Sequence, residues 1–111
     1  MISFERAQAG LVRYIDTEII PKLEAGTFKR MAFAAYMGLA ADNIVTMLHQ
    51  YKDHPLVTVT SIIENDEINI ERLYGVMAQH FNEPLKIHIP LVDIHMKFTR
   101  EDLDILYGYM R

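Results

Sequence analysis

The chain has 111 residues, no cysteine and a formal net charge of −4 at pH 7. This length fits a single domain over residues 1–111, and the lack of cysteine excludes disulfides and thiolate metal sites. The acidic balance gives no electrostatic reason to bind nucleic acid or an anionic membrane.

The first predicted element is a helix that begins after Ser3, a good N-cap residue, and runs to about Ile20. Pro21 is expected to end or kink it, because proline removes a helical hydrogen bond. No apolar run typical of a signal peptide precedes the helix. We therefore expect a cytoplasmic protein.

A long central helix is predicted from Phe28 to Tyr51, with Thr27 as its N-cap and a stop before Pro55. Its expected core-facing stripe consists of Met31, Ala35, Leu39 and the residues from Ile44 to Leu48. The opposite side also carries apolar residues: Phe33, Tyr36 and Ala40. A helix that is apolar nearly all round is usually buried on all sides. We therefore predict that those three residues contact a partner.

Residues 56–63 are ambiguous, since their β-branched side chains favour a strand whereas Pro55 favours a short helix. The short helix is the preferred interpretation. A polar turn over Glu64–Glu67 and a short strand at Ile68–Ile70 follow. Asn69 is the predicted cap of the next helix, which Asn82 and Pro84 end.

A half-buried antiparallel hairpin is predicted from strict alternation in Leu85–Ile89 and Ile94–Phe98. In the expected register His88 lies opposite His95 on the polar face, close enough to share a metal ion. Two ligands do not complete a zinc site, so a solvated strand face is the preferred interpretation. No metal or other cofactor is therefore predicted.

The predicted hairpin turn, Pro90–Asp93, lacks the glycine that tight turns favour and carries Leu91 and Val92. Either the last helix covers these two apolar side chains or they dock into a partner. That last helix is predicted to follow Thr99, which forms an approximate capping box with Asp102.

No catalytic site is predicted. The only serines, Ser3 and Ser61, lack a glycine-flanked elbow, and no glycine-rich phosphate loop is present. A helix followed by a hairpin is also the layout of a winged-helix regulator, which we keep as an alternative. The stretch Asn69–Phe98 has three basic and three acidic side chains, however, so nucleic-acid binding is disfavoured.

Four segments together resemble a group of small uncharacterised proteins encoded in prophage and phage-like regions of Firmicute bacteria: His54–Val57, Ile68–Tyr74, Ile87–Pro90 and Phe98–Tyr107. Members of that group carry a glycine in the hairpin turn where this chain has Val92 or Asp93. The resemblance implies a phage-derived protein for virion structure or assembly, and it implies no catalytic residues.

The sequence thus predicts an α+β fold, with four to five helices around the long apolar helix and a small hairpin sheet near the C-terminus. The predicted function is a non-enzymatic interaction or structural protein that binds a protein partner or itself as a homo-oligomer. It would work in the bacterial host cytoplasm or associate with the virion. The partner-binding residues are expected on the central helix and at Leu91 and Val92.

Overall fold

A computed structural model describes residues 1–111 and confirms the α+β class, with helices and two small antiparallel sheets. The helices are α1 (Phe4–Tyr14), α2 (Thr27–Asp42), α3 (Ile44–Tyr51), α4 (Pro55–Thr58), α5 (Ile70–Ala78) and α6 (Arg100–Met110). The strands are β1 (Ile2–Ser3), β2 (Ile63–Glu64), β3 (Glu67–Ile68), β4 (Leu85–Ile89) and β5 (Ile94–Phe98).

The predicted caps of three helices are confirmed. The Ser3 hydroxyl accepts a hydrogen bond from the backbone N–H of Arg6 at 3.1 Å, and the Asn69 side chain accepts one from Arg72 at 3.1 Å. At α6, Thr99 and Asp102 form a reciprocal capping box. Each cap satisfies backbone donors that a helix leaves without an internal partner, which fixes where the helix begins.

Beyond α1 the chain stays helical but changes its winding. A π-helical turn covers Ile15–Ile19, and a 3₁₀ turn covers Ile20–Lys22. Pro21 explains the change, because it has no N–H to donate and its ring disfavours regular α geometry behind it. The first helix was predicted to run to about Ile20, but its α-helical part ends at Tyr14 and the helical turns continue to Lys22.

The long central helix is not confirmed, because α2 and α3 are separate helices that meet at a 41° bend. Asn43 lies at the break with φ −97° and ψ 0°, outside the helical region proper. Its side-chain amide donates to the Leu39 carbonyl at 3.0 Å, the local bond by which asparagine competes with helix continuation. At the other end Gly26 is the N-cap and Thr27 the first helical residue, one position from the prediction.

Residues 56–63 contain both of the structures considered for them. They begin in α4, where the His54 ring nitrogen Nδ1 accepts from the N–H of Leu56 at 3.1 Å, and they end in β2. Asn65 and Asp66, both with positive φ, form the two-residue turn between β2 and β3. Strand β3 pairs with β2 and with β1, which makes a three-stranded sheet.

Strands β4 and β5 form the predicted hairpin in the predicted register. His88 pairs with His95, and Lys86 pairs with Lys97. The alternation of apolar and polar residues specifies this register, because a slip by one residue would turn the apolar side chains to the wrong face.

Nine of the 14 buried residues form two separate clusters. The first joins β1, α1, β3 and the start of α5 through Ile2, Phe4, Ala7, Ile68 and Ile70. The second joins α2 to the hairpin through Leu23, Phe33, Val92 and Ile94. Both are small, and only 14 of the 111 residues are buried. The hairpin is thus held against α2 by one small group of apolar contacts.

The chain exposes more surface than a protein of its mass normally does. Its accessible surface is 7441 Å², against about 6,300 Å² for a typical monomer of 12.9 kDa. Its radius of gyration is 14.7 Å, against about 13 Å for a compact domain of this length. The isolated chain is therefore less compact than a typical monomer of its mass.

Candidate functional surface and hairpin cluster

The most prominent exposed feature is an apolar stripe on α2, defined here as Phe28, Met31, Ala35 and Leu39. Phe28 is 85% exposed, and Met31 and Leu39 are each 68% exposed. At about 100° per residue these four positions fall on one side of the helix, within roughly 80° of arc. We call this set the α2 stripe.

Met31, Ala35 and Leu39 of the α2 stripe were predicted to face the core, and that prediction is wrong. The buried side of α2 is the opposite one, where Phe33 is 0% exposed and Ala41 is also buried. The prediction that Phe33 contacts a partner is therefore wrong as well, because the ring is enclosed by Leu23, Val92 and Ile94. Tyr36 and Ala40 lie nearer to Phe33 than to the α2 stripe around the helix, but both are exposed as predicted.

The two apolar residues of the hairpin turn have opposite environments. Val92 is buried in the same cluster as Phe33, so its predicted role in partner contact is wrong. Helix α2 and Leu23 cover it, rather than the last helix. Leu91 points away and is 77% exposed. The turn itself is closed by the backbone N–H of Asp93, which donates to the Pro90 carbonyl at 3.2 Å.

A second group of exposed apolar side chains follows the bend. Met47 and Tyr51 on α3 are about half exposed, and Leu56 and Val59, in and just after α4, are largely exposed. No single helix has the length and hydropathy of a membrane span. Helices α2 and α3 together meet that criterion by length and composition only, across their bend.

On the polar face of the hairpin, His88, Asp93 and His95 come together. The Asp93 oxygen Oδ1 lies 3.1 Å from the His88 nitrogen Nε2 and 3.4 Å from the His95 nitrogen Nε2. The two imidazole rings are stacked, with centroids 4.0 Å apart and planes within 4°. All three side chains are exposed. We call them the hairpin cluster.

Asp93 is the member that the sequence prediction missed. Its backbone has φ 49°, the left-handed conformation that favours glycine and that aspartate tolerates better than most residues. This conformation directs the carboxylate back toward the two histidines. The hydrogen bond to His88, the positive charge of Lys29 and the nearby His95 lower the pKa of the Asp93 carboxyl, so it is ionised at neutral pH.

A polar groove of about 320 Å³ runs along the end of the first helical segment, β5 and α6. At its edge the Glu18 carboxylate accepts hydrogen bonds from Lys22 at 2.7 Å and from the Tyr109 hydroxyl at 2.9 Å. These two hydrogen bonds lower the pKa of the Glu18 carboxyl. The same groove borders the ring of Tyr14, whose pKa is raised to about 12 by burial and by the negative charges of Asp102 and Glu18. These contacts tie distant parts of the chain together, and nothing in them requires a catalytic role.

No protein-family model, curated protein or solved structure matches the chain.

Proposed function

We propose that the chain is a non-enzymatic structural protein that self-associates through the α2 stripe. The observation that carries this proposal is the position of the stripe directly opposite Phe33. Helix α2 is apolar on both sides, and its own fold covers only one of them. A contiguous apolar surface of this kind is typical of a protein–protein contact.

The excess of accessible surface, counted over the whole chain, is large enough for an interface with a second copy of the chain. The accessible surface exceeds that of a typical monomer by about 1,100 Å². A standard interface buries about 800 Å² on each partner. Because a two-fold dimer pairs a patch with the same patch, an apolar stripe can bind its own copy. The exposed Tyr36, Ala40 and Leu91 are the further partner-contact residues of this proposal.

The biological setting belongs to the same proposal. We infer a phage or prophage origin, with assembly in the bacterial cytoplasm or in the virion, from the resemblance of the four segments described above. Structural proteins of such assemblies act by contact and need no catalytic site. The genes on either side of the coding sequence test this setting, since genes for virion proteins are expected there.

Sedimentation velocity of the full chain at micromolar concentration tests self-association. We expect a dimer or a larger species for the native chain, and a monomer for the double variant Met31→Lys with Leu39→Lys. Both side chains lie in solvent in the isolated chain, so circular dichroism and the free energy of unfolding of the monomer should stay nearly unchanged.

The double variant Leu56→Lys with Val59→Lys is the matched control, because it adds the same charge at equally exposed apolar positions. It should leave the native assembly intact. A monomeric native chain would contradict the proposal. So would an assembly that persists in the Met31→Lys, Leu39→Lys variant but is lost in the Leu56→Lys, Val59→Lys variant. A monomer in buffer that floats with lipid vesicles would assign the stripe to a membrane instead.

A further inference from the structure

The hairpin cluster has the donor atoms of a metal site. Two imidazole nitrogens and one carboxylate oxygen all lie within 4.8 Å of one another. Two histidines and a carboxylate, with one position left open, are a known ligand set for zinc. From this geometry we propose that His88, Asp93 and His95 bind one divalent transition-metal ion, with Zn²⁺ as the best fit. The inference does not rest on the proposed function.

The distances within the cluster suit one ion of zinc's size. Zinc bonds to nitrogen and oxygen are about 2.0–2.1 Å, so a tetrahedral ion holds its ligand atoms roughly 3.3 Å apart. The observed separations from Asp93 Oδ1 to the two Nε2 atoms are 3.1 Å and 3.4 Å. The carboxylate oxygen is therefore already at a ligand's distance from both histidines.

The two imidazole rings must tilt for an ion to bind. They are parallel, whereas one ion requires their lone pairs to converge. Both rings lie at the surface, so each can rotate about its Cβ–Cγ bond on its solvent side, and this rotation breaks the stacking between them. The ion would take the place of the hydrogen bond between His88 and Asp93.

The backbone fixes where the three ligands lie. His88 and His95 occupy paired positions of β4 and β5, and the turn conformation of Asp93 fixes the third. Ligands on a hydrogen-bonded hairpin lose little freedom when an ion binds, and this preorganisation favours binding. The solvent side of the cluster leaves the fourth position to water or to an anion.

The positive charges of nearby lysines affect which metal ions can compete for the hairpin cluster. Lys29 acts on Asp93, and Lys86 and Lys97 lie on the same hairpin face as the cluster. These cations weaken a site that holds its ion mainly by charge, as calcium and magnesium sites do. Imidazole nitrogens favour zinc, copper, nickel or cobalt instead, through bonds that are less dependent on net charge. An anion in the fourth position would also be attracted by the two hairpin lysines.

Calorimetric titration of chelator-treated full-length protein with ZnCl₂ tests the site. We expect one Zn²⁺ per chain, and a visible absorption band of a tetrahedral or five-coordinate complex when CoCl₂ replaces zinc. His88→Ala, His95→Ala and Asp93→Asn should each weaken zinc binding at least about tenfold, since loss of even an outer-sphere partner costs that much.

His80→Ala is the control, because His80 is an exposed histidine outside the cluster, and it should bind zinc like the native chain. Circular dichroism melting checks that every variant is folded, which we expect because the mutated side chains lie at the surface. The proposal is overturned if the folded native chain takes up no zinc, or if the three ligand variants bind it as tightly as the native chain does. Met31→Lys with Leu39→Lys should keep the zinc site, which separates this test from that of self-association.

Discussion

A Cβ atom built on Gly10 would lie 2.7 Å from the carbonyl oxygen of Tyr109. Helix α1 therefore approaches the end of α6 at a distance that only glycine permits. The same carbonyl accepts a hydrogen bond from the Arg13 guanidinium at 3.0 Å, one turn further along α1. The two helices are joined there by backbone contact and by this polar bond.

We expect Gly10→Ala to destabilise the chain by about 1–3 kcal/mol, because the added methyl group must push two backbones apart. Gly75→Ala is the matched control, since Gly75 lies within α5 with nothing within 4 Å of its Cβ position. There alanine should stabilise the helix by roughly 0.5–1 kcal/mol. Urea unfolding measures both changes, and equal stability of the Gly10 variant and the native chain would contradict the close approach.

The ring of Phe33 should contribute strongly to stability. Phe33→Ala removes a fully buried ring from the cluster that holds the hairpin, and we expect a loss of about 3–5 kcal/mol. Tyr36→Ala, three residues away on the exposed flank, should change the free energy of unfolding by less than about 0.5 kcal/mol in the monomer. The two variants together measure which side of α2 faces the core. A larger loss at Tyr36 than at Phe33 would reverse that assignment.

The orientation of α2 shows where sequence reasoning fails. A helix orients itself by the contrast between its apolar and polar sides, and α2 has almost none. Met31 and Leu39 have the spacing of a core stripe, and Phe33 and Ala41 have the same spacing. Tertiary contact, above all with Val92 of the distant hairpin turn, decides between the two sides. The prediction of one long helix failed for a related reason, since an asparagine at position 43 is compatible with either a helix interior or a break.

The capping box of α6 gives a prediction that depends on local structure alone. Thr99→Ala removes the hydroxyl that accepts from the Asp102 N–H at 3.2 Å, and should cost about 1 kcal/mol. Thr27→Ala is the control, because Thr27 is the first residue of α2 and makes no cap bond. Thermal unfolding should show a decrease of roughly 4–8 °C for Thr99→Ala and almost none for Thr27→Ala. Equal decreases would show that the capping bond contributes nothing.

The raised pKa of Tyr14 predicts a loss of stability at alkaline pH. Its phenol ionises near 10.0 in the unfolded chain and near 12 in the folded chain. The unfolded chain therefore releases this proton first, so the contribution of Tyr14 is complete below pH 10 and is lost as the pH rises to 12.

Denaturant unfolding between pH 9 and pH 12 measures this effect. Tyr14→Phe should make the decline of stability with pH less steep, because the buried group no longer ionises. The exposed Tyr51→Phe is the control for removal of a hydroxyl. If Tyr14→Phe and the native chain lose stability with the same slope, ionisation at Tyr14 is not the cause.

The hairpin cluster was predictable in part. The alternation of apolar and polar residues was enough to predict that His88 lies opposite His95. In a paired hairpin, the spacing of residues in the sequence determines which side chains are neighbours across the strands. The contribution of Asp93 depends on a positive φ in a turn without glycine, and a sequence pattern does not specify that angle.

The division of the core into two clusters has a consequence for how the native chain fluctuates. Since the hairpin and α2 are held by their own group of buried side chains, that half can open while α1 and the three-stranded sheet stay packed. Amide protons of β4 and β5 should then exchange with solvent through a lower-energy partial opening than those in the middle of α1. If a second copy binds the α2 stripe as proposed, it should slow the exchange of these hairpin amides in the assembled protein.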